Sequence, residues 1–320
     1  MTDAPMPYDA DVIVIGAGPA GLSAALNLVR ARRTVVLLDA NRPRNAATLR
    51  SHGFLTRDGV PPLELRQLGR AEVEGYPEAT VVSATVDSVE PVDGGWQVHG
   101  AWRGTEVSVR SRAVVIATGL RESFPAMPSL RAFYGTSMHS CVECDAYEKA
   151  GEPLALIGET DDLANRALVI AAWSDDLVVF TNGVAPISDD DRARLAAANI
   201  AVEVRPIDDL VGDRSGMTGV RLADGEVVPR AGGFVRPEWH VDLDFVHAPI
   251  ERDAEGFVLV DRHGRTGVEG LYAVGDTTPP GPEQLIVAAG AGAVAAAAIH
   301  RDLVGIPHED GRRVAPDAVE

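Results

Sequence analysis

The chain has 320 residues, 46% hydrophobic and 24% charged, with 32 Gly and 21 Pro, the profile of a folded protein rather than a disordered or collagen-like one. Its 47 acidic against 29 basic residues leave a net charge of -18, which opposes non-specific contact with nucleic acid or anionic lipid, so both partner classes are set aside. No uncharged apolar run reaches the roughly 18 to 20 residues of a spanning helix, and no basic stretch precedes the first apolar one, so no membrane partner and a cytoplasmic location are expected.

In chain order, residues 11–15 (DVIVI) read as a short strand buried on both faces. Gly16-Ala17-Gly18-Pro19-Ala20-Gly21 then opens a helical pattern, LSAALNLVRA, and a second strand, TVVLLDA, carries Asp39. A lone GxGxxG is common. Placed after a buried strand, at the start of a helix and 18 residues ahead of an acid, it points to a dinucleotide. The first glycine permits the tight turn, the second lets the backbone approach a pyrophosphate, and the third lets helix and strand pack closely. Phosphate charge would sit at the helix N-terminus, and Asp39 would accept from a ribose hydroxyl. The competing account is a bare βα turn.

Residues 81–110 alternate in short β-like pieces and suggest a small antiparallel insertion, returning through strand 113–117 to Thr118-Gly119. The two cysteines of the chain follow as Cys141-Val142-Glu143-Cys144, a spacing used by redox pairs in intracellular proteins. Two cysteines cannot staple a chain of this size. Zinc would want two further ligands, and only His139 is near, so no metal is expected; inert buried thiols are the other alternative. Asp145 directly after the pair suits proton transfer, because reducing a disulfide needs protons delivered. From residue 153 the first pattern recurs as PLALIG, LANRALVIAAW and LVVFTN, with Gly158-Glu159-Thr160-Asp161-Asp162-Leu163 at the turn. Two glycines are lost there, and three carboxylates stand where phosphates would lie. Residues 257–260 and 270–276 read as strands, a small-residue helix follows, and 307–320 is expected to be a flexible tail.

These pieces resemble the low-molecular-weight thioredoxin reductase family of flavoproteins, from about residue 10 to 304. The matching residues are the Gly16–Gly21 turn, Ala117-Thr118-Gly119, Cys141-Val142-Glu143-Cys144-Asp145, and Gly275-Asp276 followed by Gln284 and the small-residue helix. The resemblance implies an α/β fold of two Rossmann-like (three-layer ββα) domains. A central redox domain, 123–240, with a degenerate NAD(P)-type fold would be inserted into a discontinuous FAD domain, 1–122 and 241–306. It further implies a homodimer, with FAD held by Gly16, Gly18, Pro19, Ala20, Gly21, Asp39, Asn45, His52, Val86, Ala117, Thr118, Gly119, Gly275, Asp276 and Gln284. Cys144 would lie nearest the flavin, Cys141 would attack a disulfide of thioredoxin or another partner, and Asp145 would move the proton. Glu143, Asp145 and Glu148 oppose a nearby anion, so a thiol less acidic than in a neutral CxxC loop is expected.

Family members that use NADPH carry a second glycine fingerprint and, after the next strand, an arginine cluster. Here that strand is followed by Thr181-Asn182-Gly183. Two unit charges about 4 Å apart cost roughly 1 kcal/mol in water and about 4 at intermediate dielectric, so carboxylates facing a pyrophosphate would oppose tight binding. NADPH is therefore not expected as the natural donor. Ferredoxin or an unidentified donor takes its place, and Arg30, Arg32, Arg33, Arg42, Arg44, Arg50 and Arg57 form a candidate basic patch for an acidic carrier. A dithiol oxidase that passes electrons to oxygen is the alternative suggested by Arg44-Asn45-Ala46 and residues 52–59. Against it, oxidases tend to carry His where Asp145 stands. A non-catalytic flavoprotein sensor is the third reading, opposed by retention of the cysteines. Trp239-His240 is expected to be a hinge contact, and Glu283 stands where relatives commonly carry Arg.

Overall fold

Runs of Val, Ile and Leu without intervening polar residues need cover on both faces, and two parallel sheets, each sandwiched by other layers, provide it. The structure, a computed structural model, describes residues 10–279 and 281–306; the tail at 307–320 lies outside the described residues. The elements in chain order begin with β1 (Ala10–Ile15), α1 (Pro19–Arg30), β2 (Val35–Asp39), α2 (Pro62–Glu74), β3 (Ala79–Ser83), β4 (Thr85–Val92), β5 (Gly95–Trp102) and β6 (Thr105–Ile116). Then come β7 (Arg121–Ser123), α3 (Leu130–Phe133), β8 (Met138–His139), α4 (Val142–Asp145), β9 (Leu154–Ile157), α5 (Leu163–Ile170), β10 (Leu177–Phe180) and α6 (Asp189–Ala197). The chain continues through β11 (Ala201–Glu203), β12 (Ile207–Asp213), β13 (Gly216–Leu222), β14 (Val227–Pro229), β15 (Gly232–Val235), β16 (Glu238–His240), β17 (Leu271–Ala273) and α7 (Leu285–Leu303).

The first sheet runs β3-β2-β1-β6-β5-β4, with β17 also on β6. Strand β6 does two jobs along its length. Residues up to Ser111 pair antiparallel with β5, whereas Val114–Ile116 lie parallel between β1 and β17. Its end, Ala117-Thr118-Gly119, is thereby delivered beside the β1–α1 turn. The 79–83 stretch is a parallel edge strand on β2, so the antiparallel insertion begins only at β4. Residues 257–260 do not form a ladder strand: the Val258 N–H donates to Thr277 O and that of Leu259 to Glu251 O. Phe257 and Val258 are apolar because they fill the core as a loop.

Helices α1 and α7 cover one face of this sheet, with their Leu28 and Ile299 in one core cluster with Val12 and Val14 of β1. A Cβ on Gly292 would stand 2.1 Å from Ala20 O, which explains why α7 is built from Gly and Ala. Against the expectation of no spanning-length run, α7 has the length and apolarity to cross a membrane, because the helix continues through His300 to Leu303. Its small-residue face is used on α1.

The second sheet is wholly parallel, in the order β11-β10-β9-β15-β8, and β12-β13-β14 form a separate antiparallel meander. The chain leaves the first sheet through β7 and returns through β16, and these two strands pair with each other. The halves also touch closely at Gly135, φ +83°, where a Cβ would be 2.1 Å from Ala47 O.

Candidate functional site

The carboxyl ends of β1, β2 and β6 open onto a cavity of about 660 Å³, within the range of small-molecule and cofactor sites. Gly16, Gly18, Pro19, Ala20, Asp39, Asn45, Val86, Ala117, Thr118, Gly119 and Asp276 all line it. The three fingerprint glycines differ in surroundings. A Cβ on Gly16 or Gly21 would strike backbone at 2.3 Å or 1.9 Å, whereas one on Gly18 would meet nothing within 4 Å. Gly16 and Gly21 thus hold the turn together, and Gly18 leaves room for a ligand. Helix α1 starts from Gly18 with no side-chain cap, so its first-turn N–H groups are left for an anion. Asp39 accepts from the Asn41 N–H at 2.9 Å and lies 3.3 Å from Arg66.

Gly21, His52, Gly275 and Gln284 are not part of this wall. Gly275 lines an adjoining recess of about 70 Å³ together with Asp276. The Gln284 backbone N–H donates to Pro282 O at 2.7 Å. His52 stands 3.5 Å from Asp58 and 3.6 Å from Glu148, and so ties its loop to the turn after the cysteines.

A hydrogen-bonded chain joins the cavity to the redox segment. Arg44 donates to Asp276 at 2.8 Å and to Glu122 at 3.0 Å. Tyr134 donates to the other Glu122 oxygen at 2.8 Å, and its hydroxyl is also 2.8 Å from Ser140, the residue before Cys141. Burial works against the Arg44 charge, but Asp276 and Glu122 outweigh it and raise its pKa. Burial, then the Glu122 carboxylate, pushes the Tyr134 phenol up, so it remains a donor. Arg44 therefore points inward, while Arg32 pairs with Glu78 at 2.9 Å, Arg30 donates to Tyr76 and Arg33 lies 3.9 Å from Asp11. Four of the arginines expected to form a basic patch, Arg30, Arg32, Arg33 and Arg44, are thus engaged with partners inside the chain.

Cys141 and Cys144 form a disulfide with Cα atoms 5.3 Å apart, and both residues are half-buried. Cys141 is the N-cap of α4, which has only four residues, so its dipole is short. Of the acids expected to oppose a thiolate, Asp145 lies 3.1 Å from His139 and Glu148 is held at His52. Among the described residues no group of three or more His, Cys, Asp or Glu is gathered as metal ligands.

The second βα turn is filled by its own side chains. Leu163, at the place of the third fingerprint residue, is fully buried, and its Cδ2 would be 2.7 Å from a Cβ on Gly158. The carboxylates there are less free than their sequence suggests. Glu159 accepts from Asn182 at 2.6 Å, and Asp162 accepts from Arg166 at 2.7 Å, Arg236 at 2.9 Å and Thr160 at 2.6 Å. Arg236 in turn stacks on Trp239, 4.0 Å from the ring centroid. Burial pushes Asp162 up, but the bonds from Thr160, Arg166 and Arg236 prevail and bring it down to about 2. A depressed carboxylate stabilises the fold above its unfolded value and loses that contribution as pH falls through the folded one. Asp162→Asn is therefore expected to lower the melting temperature at pH 7 by about 2–4 °C. The gap from the parent should close between pH 4 and pH 2; a gap independent of pH in thermal melts would contradict this.

Glu122, Arg66 and Arg236 carry no sequence signal, because their partners Arg44, Asp39 and Asp162 lie 78, 27 and 74 positions away, and nothing in the local pattern marks Tyr134. Only Arg44 stood in a segment already singled out.

Residues 10–170 match the family described as pyridine nucleotide-disulphide oxidoreductase. The chain belongs to that family. Among solved structures of similar proteins, TrxB of Bacillus anthracis is 36% identical with a TM-score of 0.85, covering 92% of this chain and 99% of that one. HlmI is 39% identical with a TM-score of 0.85, covering 92% of each. The thioredoxin reductase of Aquifex aeolicus is 27% identical over 322 residues, 92% of this chain and 94% of its own. Within the family the protein is a thioredoxin reductase-like flavoprotein oxidoreductase, with the α/β fold of two Rossmann-like sheets that these neighbours share.

Proposed function

We propose that the protein is an FAD-dependent thiol–disulfide oxidoreductase that exchanges electron pairs between flavin and a partner disulfide through Cys141 and Cys144. The observation that carries this is the chain Asp276–Arg44–Glu122–Tyr134–Ser140, which joins the wall of the cavity to the residue preceding the disulfide. The cavity fits FAD: Gly16, Gly18 and the start of α1 would hold the pyrophosphate, Asp39 the ribose, and Asp276 with residues 117–119 the remaining polar edge. Bound FAD would supply two-electron chemistry. Residues 1–122 and 241–306 would form its domain, and 123–240 the redox domain, in a cytoplasmic homodimer. Cys141 would exchange with a thioredoxin-type disulfide, Cys144 would close the ring, and Asp145 would handle the proton.

NADPH is proposed not to be the natural donor, with ferredoxin or another donor in its place. Support now comes more from shape than from charge. Leu163 fills the room a small residue would leave, and Asp162 already occupies Arg166 and Arg236, so that exposed Asp161 and half-buried Glu159, bonded only to the neutral Asn182 amide, leave negative charge at this turn. Anaerobic titration of the flavin with NADPH, reduced ferredoxin, reduced thioredoxin and a small dithiol in parallel tests this. Bleaching by a thiol or ferredoxin, and none by micromolar NADPH, is expected; fast bleaching by NADPH overturns the donor assignment. Dithiol bleaching followed by stoichiometric peroxide on adding oxygen would assign the oxidase direction instead.

A further inference from the structure

His139 ends β8, two residues before Cys141, with its side chain 8% exposed. Its Nε2 stands 3.0 Å from the Thr136 carbonyl oxygen. A carbonyl only accepts, so Nε2 carries the hydrogen. Nδ1 is then the free ring atom: it is buried, makes no hydrogen bond, and lies 3.1 Å from Oδ1 of Asp145, itself 12% exposed in its side chain. In a neutral ring Nδ1 would present a lone pair to a carboxylate that also offers only lone pairs, a repulsive contact in a buried place. One proton on either atom makes it attractive. The neighbouring aromatic and charged groups are engaged or directed elsewhere. Phe234 of β15 faces the ring at 6.4 Å, Glu143 of α4 is exposed, Glu148 is at His52, and Lys149 is at Glu152.

We propose that His139 and Asp145 form a dyad that stores one proton beside Cys144 and releases it when the Cys141–Cys144 disulfide opens. The inference rests on the thiol–disulfide reading above. An incoming thiolate attacks Cys141 Sγ, a new S–S bond forms to it, and the Cys141–Cys144 bond breaks with its electron pair left on Cys144 Sγ. That sulfur takes the dyad's proton. A second thiolate attacks the external sulfur of the mixed disulfide, which releases the oxidised partner and leaves Cys141 as thiolate. Two electrons have passed from two thiolates to the enzyme disulfide, and the dyad regains its proton from solvent. Asp145 acts on the proton at Cys144; His139 acts through Asp145 and is a positioning residue.

The test is the rate at which dithiothreitol reduces this disulfide in the purified, flavin-loaded protein under anaerobic conditions, read by quenching, alkylation and mass shift between pH 6 and pH 8. The ratio of wild type to His139→Gln cancels the ionisation of dithiothreitol. It is expected to be near 1 at pH 6, where solvent supplies protons, and about 10 at pH 8. Asp145→Asn, whose amide can donate to Nδ1 without a transferable proton, should keep the contact and show the same trend. A ratio that does not change with pH in either variant overturns the dyad while leaving the thiol–disulfide reading intact. A wild-type disulfide that dithiothreitol never reduces overturns that reading itself.

Discussion

Replacing Cys144 by serine is expected to remove thiol–disulfide turnover, by about a thousandfold or more, while leaving FAD content and the circular dichroism spectrum as in the parent. Serine is close in size to cysteine, and the half-buried position in the single turn of α4 demands nothing of the sulfur except its chemistry. Without Cys144 the bond to Cys141 cannot close, so a mixed disulfide formed at Cys141 has no internal route to resolution. The measurement is steady-state disulfide reduction beside the flavin absorbance spectrum. Turnover equal to wild type would remove the reductase and oxidase readings together and leave a flavoprotein whose cysteines are bystanders.

Two glycines three positions apart in one turn should fail in opposite ways. Gly18→Ala adds a methyl where no protein atom lies within 4 Å, so the apo fold should keep its denaturation midpoint while FAD affinity drops about tenfold or more. Gly21→Ala puts its methyl 1.9 Å from Gly16 O and 3.0 Å from Gly16 C, both backbone atoms of the turn that cannot step aside. Overpacking of this kind costs about 1–3 kcal/mol, and the tightest backbone clashes exceed it. Urea midpoints of the apo proteins and flavin-to-protein ratios after purification separate the two. Full FAD retention in Gly18→Ala would remove the pyrophosphate from this turn, and an unchanged midpoint in Gly21→Ala would mean the turn relaxes.

Much of the fold was legible because its signals are local. A run such as residues 12–15 has no polar face to give to solvent, so it can only be an inner strand, and the glycine turn after it states its own geometry. Where burial comes without regular pairing, local signals mislead. Residues 257–260 have the composition of a strand but lie in the core as a loop, because their N–H groups are satisfied by Thr277 and Glu251 rather than by a ladder. The carboxylates at 159–162 misled in the same way. Charge counted along the chain ignores Arg236, which arrives 74 positions later to neutralise Asp162.

By itself the sequence determined the local features: a glycine turn at 16–21 between a buried strand and a helix, and one cysteine pair with an acid beside it, each encoded within a few consecutive residues. Only the tertiary structure decided which groups stand between them. Arg44, Glu122, Tyr134 and Ser140 meet because β7 carries the chain across between the two sheets, and His139 at the end of β8 meets Asp145 at the end of α4. The physical reason is the same in each case: an ion pair or hydrogen bond is set by distance in space, and the chain leaves that distance undetermined until the sheets have packed.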